Sequence, residues 1–106
     1  MPDVDDPIAA MIAATNREDS AGFLAAFADD AVLDDWGRAF RGTAEIARWD
    51  ASENIGVHSR IEALGVTRDG DVVTVAVQVT GDGYNGGGSM AFTVRDGLIA
   101  TMRIRG

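Results

Sequence analysis

The chain has 106 residues, 46% of them hydrophobic, with no cysteine, one histidine and a formal charge of −8. Those figures describe one domain with a small core, and exclude a mainly disordered chain, disulfide or thiol chemistry and a cysteine zinc site. The acidity argues against nucleic acid or an anionic membrane as partner, since both demand a basic face, and no apolar run approaches a membrane span.

The start, Met1-Pro2-Asp3-Val4-Asp5-Asp6-Pro7, is acidic and lacks the basic opening of a signal peptide, so a cytoplasmic domain over residues 1–106 is expected. Asp6 is the expected cap of a first helix, with Pro7 in the first turn, where its missing N–H costs nothing. Ile8, Met11, Ile12 and Thr15 then share one helical face, and Asn16-Arg17-Glu18 breaks the helix. Asp19 or Ser20 caps a second helix striped by Phe23, Leu24 and Phe27, which Asp29-Asp30 is expected to end. A short strand is expected over Ala31 to Asp35. Thr43 is the expected cap of a third helix, with Glu45 in its first turn and Ile46 and Trp49 as anchors.

The second half reads as sheet. Val57 to Val66 fits a long strand, and Arg68-Asp69-Gly70-Asp71 fits a hairpin turn. Val73, Val75, Val77 and Val79 alternate with Thr74, Ala76, Gln78 and Thr80, a period of two. After a glycine-rich loop, Gly81 to Gly88, Met90, Phe92 and Val94 alternate with Ser89, Ala91 and Thr93. Arg95-Asp96-Gly97 is a second tight turn, followed by Leu98, Ala100, Met102 and Ile104 in alternation. Helices first and an antiparallel meander after them predict an α+β domain, with the helices on one sheet face. The opposite face (Thr74, Ala76, Gln78, Thr80, Ser89, Ala91, Thr93 and Thr101) is small and almost uncharged until Arg103. A homodimer through this outer face is expected; the alternative is a solvated threonine-rich face set by strand propensity.

The order of three helices, a strand between the second and third, and a terminal meander resembles the nuclear transport factor 2-like superfamily. The residues carrying the likeness are Phe27 to Asp35, Phe40-Arg41-Gly42-Thr43-Ala44-Glu45-Ile46, and Gly97 to Ile104. The branch it resembles is that of the SnoaL-like polyketide cyclases and ketosteroid isomerases. This implies three helices packed on a curved, mainly antiparallel sheet, forming a cone with an apolar pocket inside and dimerisation through the outer face. It also implies a domain that binds a small apolar molecule, as an isomerase, cyclase or lyase using a pocket aspartate as base. The alternative is a noncatalytic ligand-binding or dimeric assembly module of the same fold, since one fold hosts many functions.

By this resemblance Asp35 matches the proton-moving aspartate. Independently, a carboxylate at a strand end beside Trp36 and facing an apolar cavity is expected to be desolvated and usable as a base. Asp34 and Asp35 are adjacent, so only one points inward. The isomerase's hydrogen-bond donors do not carry over: the matching positions are Met11 and Met90, whose thioethers cannot donate. Steroid isomerisation is therefore not expected, and the two methionines suggest an adaptable apolar lining. His58, the single histidine, is the candidate acid–base partner implied by the cyclases, although its strand phase is ambiguous. Trp36, Trp49 and Tyr84 are candidates for the pocket mouth, Tyr84 as a lid or hydroxyl donor, whereas Phe40 suits ordinary core. Met90, Phe92 and Met102 on the inner face join Met11, Trp36 and Trp49 as expected lining.

Gly81-Asp82-Gly83-Tyr84-Asn85-Gly86 matches the dinucleotide pattern in letters only, because a strand follows where the motif needs a helix. Asp29, Asp30, Asp34 and Asp35 form no regular cation loop. No metal site and no cofactor are expected.

Overall fold

A computed structural model describes residues 4–106; Met1, Pro2 and Asp3, part of the acidic start read above, lie outside the described residues. The elements are α1 (Asp6–Asn16), α2 (Ser20–Ala25), β1 (Phe27–Asp35), β2 (Arg38–Arg41), α3 (Gly42–Glu53), a 3₁₀ turn (Ile55–Val57), β3 (Arg60–Asp69), β4 (Val72–Thr80), β5 (Gly86–Arg95) and β6 (Leu98–Arg105). The strands form one six-stranded sheet in the order β2-β1-β6-β5-β4-β3. All pairs are antiparallel except β1 with β6. The sheet is open, with β2 and β3 as its edges, and curves around the helices. This is the expected α+β arrangement. None of the described helices is long and apolar enough to cross a membrane.

The helices behave as their spacing predicts. Ile8, Met11, Ile12 and Thr15 of α1 are buried, and Phe23 anchors α2. Asp19 caps α2 through its side chain, which accepts from the Gly22 N–H. Two caps differ from expectation. Asp5, not Asp6, occupies the cap position of α1 and makes no side-chain cap bond. Arg41, not Thr43, occupies that of α3, where Glu45 Oε1 reaches back to accept from the Arg41 N–H at 2.8 Å.

Two strand boundaries and the phase of one strand also differ. Strand β1 begins at Phe27 and runs through Asp29-Asp30, which do not end α2. Between Phe27↔Ile99 and Val32↔Thr101 the register with β6 shifts, so the two acids project into solvent where the strand bulges. Asp30 pairs there with Arg95 at 2.6 Å. Strand β3 starts at Arg60, not Val57, because Val57 closes a 3₁₀ turn and His58 takes a left-handed conformation, φ 56°. A further bulge, between Thr93 and Val94, changes the phase of β6, so Ile99 is buried and Leu98 only half-buried. The tight turn before β6 needs positive φ at both central residues, and Asp96 (54°) with Gly97 (77°) supplies it.

Candidate functional site

Cross-strand rows decide where core ends and cleft begins. Leu33, Met102, Phe92 and Val73 face one another across β1, β6, β5 and β4, and all are buried. One row further along lie Asp35, Ile104, Met90 and Val75. The first row is sealed under the helices. In the second, Asp35, Ile104 and Met90 line a cleft of about 320 Å³. Its walls are mainly apolar, with Trp49 beside Asp35 and Val57, Ile61, Val77 and Val79 completing the lining.

Among the described residues Asp35 is the one buried carboxylate in this lining, its side chain 12% exposed. Both of its donors reach the same oxygen. Trp49 Nε1–H donates to Oδ2 at 3.0 Å, and Arg38 also donates to Oδ2 in a short ion pair. Oδ1 accepts from no protein donor among the described residues, yet it is not sealed from solvent space. Arg38 is held from its other side by both carboxylate oxygens of Glu53, at 2.6 and 2.9 Å. The Glu53 bonds, and then Asp35, push the guanidinium above its ordinary value, so it stays charged. Trp49 is positioned by stacking on Phe23, with ring centroids 6.2 Å apart, and α3 thus delivers the indole N–H to the strand end.

Adjacent Asp34 points to the other face, as period-two alternation requires. It accepts from Arg105 at 3.0 Å and from the Gly37 N–H at 2.7 Å. These two contacts, Arg105 first, hold its carboxyl below the usual range.

Trp36 sits in the two-residue turn between β1 and β2 with φ 54° and lines the cleft mouth at 60% exposure. Left-handed geometry is uncommon for so bulky a residue. Tyr84 lines the rim as well, half in solvent, and its hydroxyl donates to Gly87 O at 2.6 Å. The loop bearing Tyr84 is tied across its base by Asn85, which accepts from the Gly81 N–H and donates to Gly81 O. Gly81 is required there: its φ is 153°, and a Cβ would stand 2.8 Å from His58 O.

Other expected site residues fall elsewhere. Met11 is fully buried on the inner face of α1, where the Thr15 hydroxyl donates to its sulfur at 3.9 Å, and does not line the cleft. Phe92 and Met102 belong to the sealed row and do not line it either. His58 lies outside the lining with its side chain 62% exposed, paired with Glu18 at 2.6 Å. Its left-handed backbone places it before β3 rather than in it, so strand alternation never applied. That Glu18 pairing raises its pKa.

Sequence reasoning missed Arg38, Glu53, Asn54 and Ser59. A signal existed for Arg38. A Trp-Gly pair between Asp35 and Arg38 is a two-residue turn, which sets those two directly opposite.

A family model described as a SnoaL-like domain matches residues 8–102. No curated protein matches the chain. Among solved structures, the chain is similar to a candidate polyketide cyclase from Sinorhizobium meliloti, at 30% identity and TM-score 0.87, covering 96% of this chain and 95% of that one. It is similar in fold to a Mycobacterium tuberculosis protein in complex with estradiol-17β-hemisuccinate, at 16% identity and TM-score 0.81, covering 92% and 88%. It also shares its fold with a Δ5-3-ketosteroid isomerase from Mycobacterium sp., at 20% identity and TM-score 0.80, covering 94% and 89%. With a family model spanning nearly its whole length and a relative at 30% identity, this chain belongs to the SnoaL-like family, on a nuclear transport factor 2-like fold.

Proposed function

We propose that the cleft binds a small apolar molecule and that Asp35 is its polar anchor and proton acceptor, in an isomerase, cyclase or lyase reaction. The observation that carries this reading is a single buried carboxylate in a mainly apolar cleft of about 320 Å³. Apolar clefts with few convergent polar groups are the usual sites for small ligands. The estradiol derivative bound by a protein of similar fold supports the size and apolar character of the ligand. Trp36 and Tyr84 act as aromatic lips at the mouth. His58 lies outside the lining and has no proton-transfer role in this proposal.

A second reading, noncatalytic binding, is favoured by one observation. Asp35 is clamped by Arg38 and Trp49, and among the described residues no other buried acid or base lines the cleft. The two readings separate in a thermal-shift screen of cyclic apolar compounds against the wild type and Asp35→Asn. Under the first, ligands that stabilise the wild type lose most of that effect in the variant. Equal stabilisation of both proteins contradicts a role for the Asp35 charge and leaves the noncatalytic reading.

We further propose a homodimer through the outer sheet face. Ala76, Thr80 and Thr101 lie exposed there, and Leu64, at the β3 bulge, is 56% exposed. A surface of mainly small side chains, with Arg60, Glu62 and Arg103 as its charged positions, suits a self-complementary two-fold contact.

A further inference from the structure

The hydrogen-bonding capacity of the cleft's inner wall is unbalanced. Four buried residues with polar side-chain atoms line it: Asp35, Trp49, Asn54 and Ser59. The Trp49 indole N–H is already used on Asp35 Oδ2. The Asn54 amide N–H₂ is used on Asp50 Oδ1 at 2.9 Å and Thr15 Oγ1 at 3.2 Å. The amide orientation follows from its partners: Asp50 Oδ1 also accepts from the Ile55 N–H at 3.4 Å, and the Thr15 hydroxyl already donates to the Met11 sulfur, so both face nitrogen.

Two acceptors remain. Asp35 Oδ1 and Asn54 Oδ1 take no hydrogen bond from protein donors among the described residues, and neither is sealed from solvent space. Among the described residues of this wall, the one uncommitted buried donor is the Ser59 hydroxyl, which accepts equally well. Met90, on the same row as Asp35, has no hydrogen to offer. Asp35 is moreover ion-paired with Arg38 through Oδ2, which leaves Oδ1 as the free acceptor of the pair.

We infer that the cleft selects an apolar ligand bearing an O–H or N–H group, an alcohol, phenol or amine, which donates to Asp35 Oδ1, over a carbonyl compound of the same shape. This rests on the reading of the cleft as a ligand site. A ketone in that position sets its oxygen against a carboxylate oxygen with no buried N–H to receive it. A hydroxyl there gains a charge-assisted bond.

The test compares three probes on one skeleton, 2-naphthol, 2-methoxynaphthalene and 2-acetylnaphthalene, titrated into the wild-type protein by calorimetry at neutral pH. A bond to a charged acceptor predicts that 2-naphthol binds at least about tenfold more tightly than either of the others. This order runs against lipophilicity, since the ether is the more apolar probe. In Asp35→Asn the preference falls below about threefold while affinity for 2-methoxynaphthalene is retained, which also reports that the variant is folded. The wild-type comparison stands without the variant. Equal affinities, or tighter binding of the ketone, overturn the inference and leave the cleft as a ligand site. No binding by any of the three overturns both.

Discussion

Trp49 joins the core to the candidate site, and Trp49→Phe separates its two roles. The phenyl ring keeps the contact with Phe23 but removes the N–H that donates to Asp35 Oδ2 at 3.0 Å. A hydrogen bond to a charged group contributes about 1.5–3 kcal/mol. Arg38 remains on the same oxygen, so the lower end applies, about 1.5 kcal/mol. Losing roughly 40 Å³ of ring at about 24 cal/mol per Å³ adds close to 1 kcal/mol in a closed core, and about half of that beside an open cleft. The sum is about 2 kcal/mol. With an unfolding entropy of about 2.1 cal/mol/K per residue over 106 residues, Tm falls by about 9 °C. Denaturant melts of Trp49→Phe, Asp35→Ala and the double variant then measure the coupling, expected at about 1–2 kcal/mol. A coupling below about 0.5 kcal/mol refutes the claim that the indole holds the carboxylate.

Other expectations follow from the same geometry. Trp36→Gly releases a left-handed strain of about 1–2 kcal/mol against a glycine entropy cost of about 0.5–1 kcal/mol. Chemical denaturation is therefore expected to show equal or slightly higher stability, whereas probe affinity falls with the loss of one lip; a large loss of stability contradicts this. His58 is the single imidazole, and its pairing with Glu18 raises its pKa above 6.5. The stabilisation from this pair is fully present below pH 6.5 and is lost as pH rises through the raised folded value. Proton NMR is expected to show the titration of His58 moving down towards 6.5 in Glu18→Gln, with the stability difference between the two proteins shrinking at higher pH. Ala76→Glu sets like charges across the proposed two-fold face; sedimentation is expected to show a dimer becoming a monomer, and a monomeric wild type contradicts the proposal.

Much of the fold could be read because its signals were local. The alternation in β4 and the first part of β5 survives intact in the buried Val73, Val75, Val77, Met90 and Phe92. Where the register shifts, the pattern misleads. Ile99 is buried against the expected phase because Ala100, beside it in β6, is the extra residue of a bulge, and Asp29-Asp30 look like a helix end because bulged strand residues carry acids freely. Strand β2 is too short and too charged, Arg38-Ala39-Phe40-Arg41, to show any periodicity. Within the site, Asp35, Trp36, Trp49, Tyr84 and Met90 line the cleft, but inner-face residues alone do not tell which row is sealed. Phe92 and Met102 lie one row from Met90 and Ile104, and the depth of a cleft is set by how far the helices reach along the sheet. The Asn54 contacts reach across 39 residues to Thr15, a pairing that no local pattern encodes.

The central claim is that the cleft beside Asp35 is where this protein meets a small apolar ligand. Its most direct test is a titration of isotope-labelled protein with 2-naphthol, observing the Trp49 indole N–H and the methyl groups of Val77, Met90 and Ile104 by NMR. The account predicts that these signals shift together and saturate at one stoichiometry, with the indole signal among the most perturbed. Saturating shifts confined to the outer face, at Ala76, Ala91 and Thr101, with the Trp49 indole signal unmoved, contradict it.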